Sequence, residues 1–174
     1  MSLSVVSLLT DLKKMLESEF KALNITAMNK NIDNNTILPT DIDININLSQ
    51  YGRPNVYIAF RPASINQFDF PAVIIVPPSE AKDTISTKEC DISFILVVKH
   101  GNRAQDNNAC LEAISFMERV KDILFNNTNV GGFVLDFEQV NYGVDLIPNS
   151  PDITIAEINC IYRSINNYDT LKNI

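Results

Sequence analysis

Between Val5 and Leu23 apolar residues recur in steps of three and four: Val5, Leu8, Leu9, Leu12, Met15, Leu16, Phe20 and Leu23. That period places them on one side of a helix, predicted from about Ser4 to Leu23. The period then breaks. Residues 24–67 are polar and Asn-rich, and are expected to form an irregular elaboration. Two short patterns interrupt it. In "DIDININL", Ile42, Ile44, Ile46 and Leu48 alternate with Asp41, Asp43, Asn45 and Asn47, as in a half-buried strand or extended arm. "NVYIAF", Asn55–Phe60, is a second short strand candidate.

From Phe70 onward the period-2 signal strengthens. "AVIIV" predicts a strand at Ala72–Val76, closed by Pro77 and Pro78, which cannot donate to a ladder. Cys90–Lys99 predicts a second strand with Cys90, Ile92, Phe94, Leu96 and Val98 on one side, and polar "SEAKDTISTKE" joins the two as a projecting hairpin. A helix is predicted from about Gln105 to Phe125, its stripe being Leu111, Ile114, Met117, Val120, Ile123 and Leu124. "NNTNVGG" is expected to end it, since Asn and Gly tolerate the left-handed conformation. Strands at Phe133–Val140 and Ile153–Tyr162 come next, joined by turn-rich "NYGVDLIPNSPD", and a polar tail at 166–174 reads as mobile.

The order helix, elaboration, hairpin, helix, hairpin predicts one α+β domain over residues 1–174, with a mainly antiparallel sheet of about four core strands and two long helices. A sheet covered on one side should be polar on the other. Here Val73 and Ile75, Ile95 and Val97, and both parities of the last strand are apolar. Leaving each wet forgoes about 1.5–3 kcal/mol. The first helix, the "DIDININL" arm or a neighbouring subunit is expected to cover that second face.

A net charge of −7 gives the chain no overall attraction to phosphate backbones or anionic lipid. No apolar run is long enough to span a bilayer, and the charged amphipathic N-terminus reads as a helix rather than a signal peptide. Synthesis in the cytoplasm is therefore expected. Cys90, Cys110 and Cys160 are widely spaced without CxxC, and read as reduced core thiols.

Candidate chemistry is thin. His100 has no sequence-nominated partner, and the five glycines form no phosphate-binding motif. Asp136 and Glu138 share a strand side, as do Asp41 and Asp43, without a third ligand. Tyr51, Arg53, Tyr57 and Arg61 interleave aromatic and basic residues as nucleic-acid surfaces do, against an acidic background. The expectation is a protein that is not an enzyme and has no cofactor or metal.

The leading helix, then "FPAVIIVPPSE", "CDISFILVVKH", "ACLEAISFMERVKDILFNN", "GGFVLDFEQVNYGVD" and "DITIAEINCIYRSI", resembles in order and spacing the tail terminator (tail completion) proteins of long-tailed bacteriophages and related phage-like particles. The likeness covers Ser4–Leu23 and most of Phe70–Ile165; the segment 24–67 departs from plainer members. It implies a small α+β subunit whose sixfold ring caps the tail tube, stops its polymerisation and offers a head-joining surface. Its partners would be itself, the tail tube protein and a head or neck protein, without sequence-specific nucleic-acid binding or a membrane. It would work in the bacterial host cytoplasm and then in the virion tail. The assembly interface is expected at Glu80, Lys82, Asp83, Ile85, Lys88, Ile95, Val97, Tyr142 and Asp145. The competing expectations are a head–tail connector or neck component, and a small-ligand-binding or enzymatic α+β domain with a site beneath the 24–67 segment.

Overall fold

The computed structural model describes residues 4–28, 54–59, 71–78, 81–83, 87–99, 108–145 and 153–165. Its elements are α1 (Val5–Met28), β1 (Asn55–Ile58), β2 (Ala72–Val76), β3 (Ala81–Asp83), β4 (Thr87–Lys99), α2 (Asn108–Asn126), β5 (Asn129–Val130), β6 (Phe133–Asp145) and β7 (Ile153–Ile165). The fold is α+β. A mixed seven-stranded sheet runs β1-β2-β4-β7-β6-β5, with β3 beside β4 off that path.

Both predicted hairpins form, β2 with β4 and β6 with β7, all antiparallel. They join through the middle: β4 and β7 pair without interruption from Thr87↔Ile165 to Lys99↔Ile153. β7 therefore occupies one whole edge of β4, and β2 and β3 share the other, at Ser93–Val97 and Lys88–Cys90.

The four-strand expectation is too small. β1, inside the stretch expected to be an elaboration, lies parallel to β2 in register Asn55↔Ala72 to Ile58↔Ile75. Asn55 N–H donates to the Pro71 carbonyl and Ala59 N–H to that of Ile75. A four-residue strand carries too little periodicity to announce a parallel, non-local partner. β3 and two-residue β5 are shorter still. The "DIDININL" segment, His100, Tyr51, Arg53, Arg61 and residues 166–174 lie outside the described residues.

α1 starts at Ser4, whose side-chain oxygen accepts the Val6 N–H at 3.2 Å, an N-cap contact. Leu8, Leu12, Leu16 and Phe20 are buried along one side. In α2 the buried stripe is Ala113, Phe116, Met117, Val120, Ile123 and Leu124. Phe20 and Phe116 meet with ring centroids 6.1 Å apart. Both helices share one core with Val73, Ile75, Cys90, Ile92, Phe94, Leu96, Phe133, Leu135, Ile158, Cys160 and Tyr162. α1 thus packs on the same sheet face as α2, which removes it as the cover of the second face.

α2 ends within "NNTNVGG" as expected, but no left-handed residue stops it. The helix stops at Asn126, and Asn127 closes it, its backbone N–H and side-chain amide both donating to the Ile123 carbonyl. Gly131 and Gly132, at φ +59° and +83°, instead form the two-residue turn between β5 and β6, where hairpin twist demands positive φ at both positions. A Cβ on Gly131 would sit 3.1 Å from Asp11 Oδ2 and 3.5 Å from Leu8 Cα, so this turn abuts α1.

Cys90 and Cys160 are buried and in no disulfide, as expected. Burial, reinforced by the Asp91 charge, pushes the Cys160 thiol far above its usual range. In a Cys110→Ser background, neither thiol should react with Ellman's reagent at pH 8 until denaturant is added; native-state labelling of either would contradict this packing. The Tyr162 hydroxyl is buried without a hydrogen-bond partner, a state that costs about 1–3 kcal/mol. Tyr162→Phe should therefore raise the unfolding free energy by about 1 kcal/mol in a urea titration.

Candidate assembly surface

The register of the ladders divides the second sheet face into two halves. Around β1, β2 and the C-terminal half of β4 it is apolar: Ile74, Ile95 and Val97 are buried, with Tyr57, Ala59, Val76 and Ile155 against them. Ile95 and Val97, expected to meet a neighbouring copy, are thus already screened within one chain. Toward the N-terminal half of β4 the same face carries Glu89, Asp91 and Ser93, opposite Arg163, Ile161 and Asn159 of β7. Ser93 donates to the Asn159 side-chain oxygen.

Arg163 ties three strands together. Its Nε lies 3.0 Å from Glu89 Oε1 on β4, and Nη1 lies 2.5 Å from Asp136 Oδ2 on β6. The Asp136 carboxylate has a second task, since Oδ1 accepts the Glu138 backbone N–H at 3.1 Å. Asp136 is thus engaged by an arginine and a backbone amide, while Glu138 is exposed. Among the described residues no group of three or more His, Cys, Asp or Glu is placed to hold a metal ion.

At Asp136 the β6–β7 ladder loses its regular step. Asp136 pairs with Ile161, and the next pair is Asn141 with Asn159, so five positions of β6 pass two of β7. The three extra residues form an enlarged bulge and reverse the side-chain parity of the rest of the strand. Before it, Phe133 and Leu135 face the helices; after it, Tyr142 and Val144 do, opposite Ile158 and Ala156.

The bulge brings two aromatic rings beside α2. Phe137 meets Phe125 edge-on at 5.1 Å, and Lys121 Nζ lies 4.6 Å from the Tyr142 ring centroid, a cation–π contact. Both rings remain half open, at 52% for Phe137 and 51% for Tyr142. Glu138, Gln139, Asn141 and Gly143 around them are exposed, as are Glu118 and Asp122 on α2. The result is an aromatic platform with an acidic rim, on a strand whose bulge deters uncontrolled edge pairing.

Of the residues expected at the interface, Tyr142 is on this platform. Lys82 is exposed on β3, and Asp83 and Lys88 are register partners. Asp145 pairs with Ile155, at the far end of β6. Glu80 and Ile85 lie outside the described residues. The structure does not gather these positions into one site. Sequence reasoning missed Phe137, Phe125, Lys121 and Arg163. Phe137 falls on the core-facing parity of its strand, and only the bulge, invisible to alternation, leaves it half open.

No protein-family model matches the chain, and no curated protein matches its sequence. Among the described residues no helix is long and apolar enough to cross a membrane.

Asp136→Ala should lower stability by about 1 kcal/mol and speed amide hydrogen exchange from Glu138 to Asn141. Glu89→Ala, which removes only the more exposed partner of Arg163, should cost less than about 0.5 kcal/mol and leave that exchange unchanged. Equal exchange in the two variants would show that Asp136 does not hold the bulge.

Proposed function

We propose that this chain is a virion structural assembly protein, a tail terminator that closes into a ring on the tail tube, ends its polymerisation and presents a surface for the head. The observation that carries an assembly role is the aromatic platform on β6, with Phe137 and Tyr142 half exposed and fixed against Phe125 and Lys121. A monomer gains little by holding two large rings at a strand edge in water, whereas aromatic residues are enriched at protein–protein contacts. The resemblance supplies the specific role: the order α1, β2–β4, α2, β6–β7 is the order on which it rests. Two half-covered hydrophobic sites support the same direction, with Val134 half exposed beside Arg163 and Ile58 on the β1 edge.

Heterologous contacts between unlike patches close a ring when the rotation between copies divides the circle. Such a subunit works by shape and complementarity rather than by a reaction. Purified tail tube subunits polymerised with this chain should give tubes of capped length, and without it tubes of unrestricted length, by negative-stain microscopy. Tubes indifferent to its presence would remove the reading. Correct tubes that fail to join heads would instead assign the chain to the neck.

A further inference from the structure

We infer that the connection from β1 to β2, residues 60–70, crosses the second sheet face and lies over its apolar half, making Ile74, Ile95 and Val97 the floor of a second internal core. Register puts Ala72 and Ile74 of β2 on the same face as Val97 and Ile95 of β4. Ala72, Ile74 and Val97 have no exposed surface, and Ile95 keeps only 4%. Neighbouring strands flank such side chains without shielding their tips, so burial this complete requires a layer above them. The apolar residues packed against this floor, Tyr57, Ala59, Val76 and Ile155, come from the sheet or its margin. The buried stripes of α1 and α2 both belong to the core on the opposite side.

Strand order and direction say which part of the chain supplies that layer. β1 and β2 are adjacent and parallel, so the chain leaving Ile58 must return past the full length of β1 before it enters β2. β4 and β6 are also parallel to each other, since each runs antiparallel to β7, and α2 joins them on the helical side. Both crossovers step across the sheet in the same direction, from β1 to β2 and from β4 to β6. Their strands point opposite ways, because β2 is antiparallel to β4. Reversing the strands while keeping the step and the hand moves the connection to the other face. Parallel crossovers are right-handed in about 98% of cases, so with α2 on one face the β1–β2 connection belongs on the other. On the helical face the room beside β1 is already taken by α1, whose leucines share a core with Val56.

Reach and chemistry agree. Residues 60–70 span up to about 36 Å when extended, against about 13 Å for the four residues of β1. Ile65, Phe68 and Phe70 in this stretch are available to meet the floor. The buried floor itself, Ala72, Ile74, Ile95 and Val97, has no polar side chain with which to orient a ligand or a charged partner. It is a place for apolar packing. A chain that capped no tube would still need the crossover there, so this placement stands apart from the assembly reading.

The test places a nitroxide on Asn66→Cys in the full-length chain carrying Cys110→Ser, with circular dichroism to confirm folding; Ser64→Cys takes its place if that variant does not fold. Methyl signals of Ile74, Ile95 and Val97 should be lost on labelling and return when the nitroxide is reduced. Those of Ile92, Leu96 and Val98, which face the helices, should persist. Isotope-labelled chain without nitroxide, mixed with nitroxide-bearing chain without isotope, should keep every signal, because the contact lies within one copy.

Loss in the mixed sample would give the layer to a neighbouring copy and overturn the placement. Persistence of the second-face signals in the labelled chain would give it to another part of the chain. Equal loss on both faces would put the connection around the outer edge of β1. Either result also overturns it, and the tube-length experiment judges the terminator reading separately.

Discussion

The uninterrupted pairing of β4 with β7 sets what each remaining element can do. Each strand is thirteen residues long, and every position has a partner. Because side chains alternate strictly, this one register sends Cys90, Ile92, Phe94, Leu96 and Val98 to the helices together with Ala156, Ile158, Cys160 and Tyr162. A slip by one residue would turn all of them to the other side. The two hairpins bring little to each other except through this seam, and both helices pack where it directs the apolar side chains.

The opposite face shows how the same seam accommodates polarity. Its apolar half, around Ile74, Ile95 and Val97, is buried, and its polar half is laced by Ser93 to Asn159 and by Arg163 to Glu89 and Asp136. The excess of apolar residues in the strands therefore does not by itself require a partner. Among the described residues, what stays uncovered is smaller and more specific: two rings beside α2, brought there by extra residues in β6, and the single side chains of Val6, Ile58 and Val134. The open apolar surface is a defined platform rather than a broad greasy face.

Most long elements were legible because their periods are strong. α1, β2, β4, α2 and β7 lie close to where alternation or helical spacing puts them. β6 runs past its expected end at Val140 to Asp145, since pairing with β7 overrides the turn character of Asn141, Tyr142 and Gly143. At Gly143 even an added Cβ would meet nothing within 4 Å, so the strand tolerates that residue in an open position. β1 falls inside the strand candidate at Asn55–Phe60, but its short length hid its parallel partner β2, and Gly131–Gly132 were credited to the wrong element because a helix stop and a hairpin turn favour the same residues. The platform was hidden for a deeper reason. Alternation cannot reveal where a strand carries extra residues, and nothing in the local sequence pairs Arg163 with both Glu89 and Asp136.

β7 comes after every other described strand in the chain, yet it lies between β4 and β6 at the sheet's middle. During synthesis, each half of the molecule must wait with an open flank until this strand has left the ribosome. Premature termination before Ile153 would thus leave two unfinished halves with sticky sides, rather than a smaller working version.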